Sequence, residues 1–120
     1  MPPPEAEFRR HLEGGRFLLQ RSRLSGRFVF PPRTLAPGSG EDELDWVPAS
    51  GRGRVHSTTT VRCKPPAADY NVALVDLDEG PRLMSCVVGI APAEVRIGMA
   101  VRARVEPGED GARVVFEPER

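Results

Sequence analysis

The side chains that could support catalysis are few and scattered. The 120-residue sequence has two histidines, His11 and His56, and two cysteines, Cys63 and Cys86. A self-contained enzyme needs a nucleophile with a neighbouring base, a carboxylate pair or a metal. The sequence around the histidines has no pattern typical of a triad, and neither cysteine is assigned a catalytic role. The sequence therefore predicts a protein that is not an enzyme.

The second half of the chain has the pattern of a five-stranded β-domain. Runs rich in Val, Thr, Leu and Ile lie at about 54–62, 71–78, 82–89, 99–106 and 112–117. Between the third and fourth runs, residues 91–98 have a proline near the start and a glycine at the end, which is typical of a short helical turn. This β-β-β-α-β-β order is that of an OB fold. We predict an OB-type barrel over residues 50–120.

The first half predicts an arm and a loop-rich appendage. Prolines 2–4 can open a helix, Phe8 and Leu12 then share one face, and Gly14-Gly15 ends it. Two short apolar runs, 17–19 and 28–30, follow with a glycine-containing hairpin turn between them. We predict a helical arm over 1–15 and an appendage over 16–49, in an otherwise all-β chain.

Charge and cysteine usage narrow the classes of function. Residues 1–64 carry 11 Arg/Lys and 7 Asp/Glu, and residues 65–120 carry 6 and 10, so a neutral chain divides into halves of +4 and −4. A neutral protein is not a strong polyanion binder. The sequence predicts no membrane span and no secretory signal. Two cysteines in an unexported chain are expected to be free thiols, so we predict a cytoplasmic protein.

Four segments of the sequence resemble a known family. They occur in the family's order and spacing, and they are FVFPPR at 28–33, SGRG at 50–53, VDLDEGPR at 75–82 and IGMAV at 97–101. The family is the thiolase-associated domain of unknown function 35, which joins a rubredoxin-like zinc ribbon to an OB fold. The resemblance covers nearly the whole chain and implies that residues 16–49 are a degenerate zinc ribbon.

The zinc ligands of that family are missing. Its members usually carry two Cys-x-x-Cys-Gly knuckles, and the matching positions here are Ser22, Ser25, Ala36 and Ser39. Structural zinc is held by thiolates or imidazoles, and neutral Ser or Ala is no comparable ligand. We therefore expect no zinc and no other metal cofactor.

The resemblance also implies a role in acyl-CoA metabolism, with acyl-CoA as a ligand. The implied partner is a thiolase-like enzyme or another acyl-CoA enzyme such as an aldolase or a hydratase, and that partner performs the chemistry. Because CoA carries phosphates, Arg33, Arg52 and Arg54 are the predicted phosphate contacts. Trp46 could stack on adenine, although a lone tryptophan near an apolar strand more often packs internally.

The arm and the appendage carry apolar groups that they cannot fully bury by themselves. Phe8, Leu12, Phe28 and Phe30 are therefore the predicted anchors of a partner interface. A homo-oligomer is the other assembly that this prediction allows.

A rival hypothesis is a single-stranded nucleic-acid binder. OB folds bind such strands by stacking bases on aromatic side chains in a positive groove. From residue 51 onward only Tyr70 and Phe116 could stack, and that half is negatively charged. We place this alternative second.

Overall fold

The computed structural model describes residues 3–33, 44–108 and 111–119. It contains one α-helix, two antiparallel sheets and a short 3-10 helix. The strands are β1 Leu18–Ser22, β2 Phe28–Val29, β3 Leu44–Pro48, β4 Arg52–Val61, β5 Tyr70–Leu77, β6 Arg82–Ser85, β7 Ala100–Glu106 and β8 Arg113–Pro118. None of the helices in the described ranges has the length and apolarity that crossing a membrane requires.

The helix, α1, runs over Pro4–Glu13, where the prolines and apolar spacing predict it. Its first turn carries two glutamates and its last turn carries Arg10 and His11, which complements the helix dipole. Gly15, with φ of +79°, turns the chain out of the helix. The helix packs against β1 and β8, so the arm docks on both halves of the molecule.

We call β1, β2 and β3 the ribbon sheet, whose strand order is β2-β1-β3. The middle strand, β1, is buried on both faces: Leu18, Gln20 and Ser22 are buried on one face and Leu19 on the other. Leu19 is 1% exposed and belongs to the same core cluster as the side chains of the larger sheet. The ribbon sheet therefore shares its core with the rest of the protein.

We call β4 to β8 the OB sheet, and its strand order is β6-β5-β4-β7-β8. The order confirms the predicted OB fold. A β-bulge at His56 interrupts the register between β4 and β5 and bends the ten-residue strand β4. The part of β4 before the bulge also pairs with β7. The sheet is not closed by a continuous ladder, because its two edges meet through a single parallel bridge between Val87 and Phe116.

Two of the predicted elements are shorter than expected. The third strand, predicted over 82–89, ends at Ser85, because the Asn71 side-chain oxygen accepts the Val87 N–H at 3.0 Å in place of a strand partner. The predicted helical turn over 91–98 is a single 3-10 turn at Pro92–Glu94. The predicted division at residues 49 and 50 falls between β3 and β4, and it stays a prediction because the two sheets share one core.

Candidate functional site

A groove of about 670 Å³ lies where the ribbon hairpin meets the OB sheet, and we call it the junction groove. One wall is β2 with its flanking residues, and the other wall is the turn between β5 and β6. Its lining residues are Gly26, Arg27, Phe28, Val29, Phe30, Arg33, Asp78, Glu79, Gly80 and Pro81. The groove thus places half-buried aromatic rings beside two exposed arginines.

Arg33 is held at this groove by a buried glutamine. Gln20 is 5% exposed, its Nε2 donates to the Arg33 carbonyl at 2.8 Å, and its Oε1 accepts the Arg33 N–H at 2.6 Å. The amide therefore fixes the backbone of Arg33 as a strand partner would, and the guanidinium stays exposed. Gln20 is a positioning residue that the sequence reasoning missed, and its place among buried positions of β1 is the signal that could have found it.

Arg27 is the second arginine of the groove, and it too was missed. Its carbonyl accepts the Ser22 N–H at 2.9 Å, and its own N–H donates to Ser25 Oγ at 3.2 Å. Its side chain is exposed. Arg27 directly precedes β2 as Arg33 follows it, so the hairpin brings both cations to the same groove.

The opposite wall is the acidic turn at 78–81, which hydrogen bonds hold on both sides. Glu79 accepts from the Ser50 N–H at 2.6 Å and from Ser50 Oγ at 3.2 Å, so both of its carboxylate oxygens are engaged. A second hydrogen bond joins the two strands that the turn connects: Arg82 Nε donates to Asp76 Oδ1 at 2.6 Å. That hydrogen bond from Arg82 holds the pKa of Asp76 below its usual range. The turn therefore keeps its shape and presents Asp78 as its exposed carboxylate.

Trp46 lies in an aromatic cluster under α1. Its ring stacks on Phe8 with centroids 6.4 Å apart and contacts His11 at 5.2 Å, and its Nε1 donates to Glu7 Oε2 at 2.7 Å. Phe8 also contacts Phe30 edge to face at 5.6 Å. Trp46 thus joins the arm to the ribbon sheet, as an internal packing residue does.

The predicted phosphate contacts are in three different surroundings. Arg33 lines the junction groove. Arg52 lies 3.6 Å from Glu119 in an ion pair, and Arg54 Nη1 donates to the Gly98 carbonyl at 3.1 Å. Of the four predicted ligand contacts, Arg33 alone lines the described part of the groove.

The predicted interface anchors also differ in their surroundings. Leu12 is 4% exposed and belongs to the interior. Phe8, Phe28 and Phe30 are half-buried, and the Arg21 guanidinium lies 5.5 Å from the ring centroid of Phe28. Phe28 and Phe30 are the anchors that line the junction groove.

Two of the four positions that the resemblance matches to zinc ligands can be described, and Ala36 and Ser39 lie outside the described residues. Ser22 is 2% exposed, and its Oγ accepts the Ser25 N–H at 3.0 Å. The Gly26 N–H donates to the Ser22 carbonyl at 2.9 Å, and Gly26 has φ of +74°. Hydroxyls in this turn do not fit the thiolate or imidazole donors of structural zinc. Nowhere in the described ranges do three His, Cys, Asp or Glu side chains form a group that could hold a metal ion.

The nucleic-acid alternative loses one of its two stacking residues. Phe116 is 0% exposed and lies in the core, so its ring cannot stack on a base. Tyr70 is 53% exposed. A single exposed ring is a poor platform for a strand that binds by successive stacking.

The sequence matches a family model that describes the C-terminal OB-fold domain of ChsH2, over residues 46–106. It is also 35% identical over 95 residues to a DUF35 domain-containing scaffold protein of Methanothermobacter thermautotrophicus, covering 72% of this chain and 71% of that protein. The chain belongs to the DUF35 family. The family predicted from the sequence is thereby confirmed.

This DUF35 protein is also similar to a larger enzyme subunit and to a chain of known structure. It is 40% identical over 89 residues to a probable enoyl-CoA hydratase alpha subunit of Thermomonospora curvata. That match covers 72% of this chain and 28% of the relative, so the chain spans just over a quarter of that protein. The fold superposes on a chain of the solved Ltp2-ChsH2(DUF35) aldolase with a TM-score of 0.86 and 33% identity, covering 98% of this chain and 96% of that one.

Proposed function

We propose that this chain is a non-catalytic accessory subunit that binds acyl-CoA together with a thiolase-like, aldolase or hydratase partner. The junction groove holds the phosphorylated head of CoA, and the partner carries out the reaction. The observation that carries this proposal is the placement of Arg27 and Arg33 beside Phe28 and Phe30 in one groove.

The chemistry of the groove suits a phosphorylated nucleotide. An arginine guanidinium can donate two parallel hydrogen bonds to the oxygens of one phosphate, and an adenine base can stack on an aromatic ring. The two hydrogen bonds from Ser50 orient the Glu79 carboxylate without removing its charge, so a phosphate has to lie on the arginine wall, away from Glu79 and Asp78. Arg52 and Arg54, on the outer face of the OB sheet, are secondary candidates for the same ligand.

The names of the relatives support a partner enzyme. One relative is called a scaffold protein, one a hydratase alpha subunit, and one is part of an aldolase assembly. A scaffold needs no catalytic groups of its own, which is in keeping with the sparse catalytic residues of this sequence. Fold likeness alone does not assign an activity, so the accessory role rests on these names and the groove together.

Calorimetry with two matched ligands tests the CoA site. The chain, alone or with its partner, should bind CoA more tightly than 3′-dephospho-CoA, because the groove arginines recognise the 3′-phosphate. Charged hydrogen bonds contribute about 1.5–3 kcal/mol, so the double variant Arg27→Glu/Arg33→Glu should lose at least about tenfold in CoA affinity.

The matched control is Arg96→Glu, which reverses an exposed arginine that does not line the groove. It should bind CoA as the unchanged chain does. Equal loss in both variants would show that general charge, and not the groove, attracts CoA. Failure of any assembly to bind CoA would overturn the proposal.

The interface proposal is tested separately at Phe28. Leu12 is buried, Phe8 and Phe30 pack on each other, and Phe28 too packs against the core, so each of these changes also affects the fold. Phe28→Ala should weaken association with the partner enzyme by about 2 kcal/mol, the typical loss for a truncated interface anchor. A melting curve of the variant alone separates lost association from lost folding.

A further inference from the structure

A second and larger groove lies on the OB sheet, at the end of the β5–β6 hairpin opposite its turn. Its volume is about 820 Å³, within the range of small-molecule sites, and we call it the OB groove. Its apolar walls come from the ends of β5, β6 and β8 and from the segment after β6: Tyr70, Val72, Met84, Val88, Ile90 and Val114. None of the predicted ligand or interface residues lines it in the described part of the chain.

The polar side chains at the base of this groove are already bonded within the protein. Asn71 donates to Thr58 Oγ1 at 2.6 Å and accepts the Val87 N–H at 3.0 Å. Ser85 Oγ donates to the Val114 carbonyl at 2.8 Å. A polar ligand would have to break these bonds to make its own, and that exchange gives little net affinity.

The charged side chains at the rim are paired with groups of opposite charge. Arg62 Nη1 lies 3.8 Å from Asp69 Oδ2, and Arg113 Nη2 donates to Glu106 Oε1 at 3.0 Å. In the described part of the chain, each charged side chain of the rim thus has a partner within the protein, so an ionic ligand would have to compete with that partner.

Cys86 completes the lining as a neutral group. It is a free, half-buried thiol, and burial raises its pKa above the ordinary value. A protonated thiol behaves as a small apolar side chain. The surface offered to a ligand is thus apolar, with exposed Met84, at 71% exposure, as an adaptable edge.

We propose that the OB groove binds one uncharged hydrocarbon chain, through contact with Val72, Met84, Val88 and Val114. The observations that carry this inference are the concave apolar walls and the internal bonds of Asn71, Ser85 and Arg113. The inference is independent of CoA binding at the junction groove. Its test uses neither CoA nor the variants that test the proposed function.

The test follows alkylation of Cys86 by iodoacetamide in a Cys63→Ser chain, so that Cys86 is the single thiol. The probes are 1-hexanol, 1-octanol and 1-decanol, which are uncharged and differ only in length. A bound chain covers the thiol and slows its alkylation. The affinity should rise with length, by up to about fourfold for each buried methylene.

Matched ligands and variants decide the outcome. 1,6-Hexanediol should protect Cys86 less than 1-hexanol, because it places a second hydroxyl in an apolar groove. Met84→Lys should reduce protection by 1-decanol severalfold, whereas Ile97→Lys, an equally exposed apolar position outside the groove, should not. Cys63 in a Cys86→Ser chain should react at the same rate with and without alcohol.

Two results would overturn the inference. The first is no protection by any alkanol, and protection by the partner enzyme in that case would assign the groove to a protein interface. The second is protection that does not depend on chain length or on Met84.

Discussion

The two sheets hold their shapes by different means. In the OB sheet, long ladders surround an apolar core, and Val55, Val75, Val101 and Phe116 are at most 2% exposed. In the ribbon sheet, β1 and β2 pair at two positions only, and side chains supply further bonds to the backbone. The OB sheet thus depends on packing, whereas the ribbon sheet depends in part on single polar groups.

Side-chain polar groups hold the turn and the end of the hairpin in the ribbon sheet. Ser22 Oγ accepts the N–H of Ser25 in its own turn, and the Gln20 side chain bonds both the N–H and the carbonyl of Arg33. The hairpin turn therefore closes with hydroxyl and amide groups. The comparison implies that the ribbon should be sensitive to loss of polar atoms and the OB sheet to changes of volume.

The largest expected effect is Gly53→Ala in the OB sheet. A Cβ at this position would lie 2.7 Å from the Asp76 carbonyl oxygen and 2.8 Å from Val75 Cγ1, so β4 or β5 would have to move. Overpacking a close-packed core typically costs about 1–3 kcal/mol. Urea unfolding should show that loss as a lower midpoint.

Gly14→Ala is the matched control for that change. Its Cβ would lie 3.4 Å from the nearest backbone atom, and Gly14 has φ of −82°, which any residue adopts. Its unfolding midpoint should change little. Equal losses in the two variants would contradict the packing explanation, because only Gly53 approaches a neighbouring strand so closely.

Ser22→Ala tests the ribbon sheet. The change removes the buried oxygen that accepts the Ser25 N–H and should cost about 1 kcal/mol. Ser25→Ala removes an exposed hydroxyl at the other end of the same turn and should cost less. Thermal melts of both variants measure the difference, and a neutral Ser22→Ala would contradict the view that this hydroxyl closes the turn.

Most of the fold could be predicted from the sequence, because the five β-runs and the proline and glycine positions mark local structure. The early end of β6 could not, because it depends on the Asn71 side chain, which is 16 residues from Val87 along the chain. The site could be predicted only in part. Arg33, Phe28 and Phe30 share a short segment, whereas the wall opposite them comes from residues 78–81 and is brought near only by folding.

The next smaller effect is on the stability of the folded protein at acid pH. Hydrogen bonds from Arg113 and Arg104 hold the pKa of Glu106 in the OB sheet below its usual value, and a hydrogen bond from Arg23 does the same for Asp45 in the ribbon sheet. A lowered carboxyl pKa in the folded state adds stability above the ordinary pKa, and that stability is lost as the pH falls through the folded value.

Glu106→Gln and Asp45→Asn should therefore flatten the loss of stability between neutral and acid pH, each by less than the Ser22→Ala effect, because the groups are exposed. Urea midpoints at pH 7 and at acid pH measure it. A steeper loss in either variant would contradict the sign of these shifts.

The smallest expected effect is that of a chelator, which should be zero. We expect protein purified without added metal to contain well under one zinc per chain and to melt at the same temperature with and without EDTA. The physical reason is the donor set, since a neutral serine hydroxyl engaged with an amide N–H offers zinc no thiolate. Stoichiometric zinc, or melting by EDTA, would contradict this expectation and would make the two sheets less different than proposed.

The companion variant replaces Ser22, Ser25, Ala36 and Ser39 together by Cys. Zinc binding by that variant, with a rise in melting temperature that EDTA reverses, would show that the turn at Ser22 and Ser25 retains the geometry of a Cys-x-x-Cys-Gly zinc knuckle.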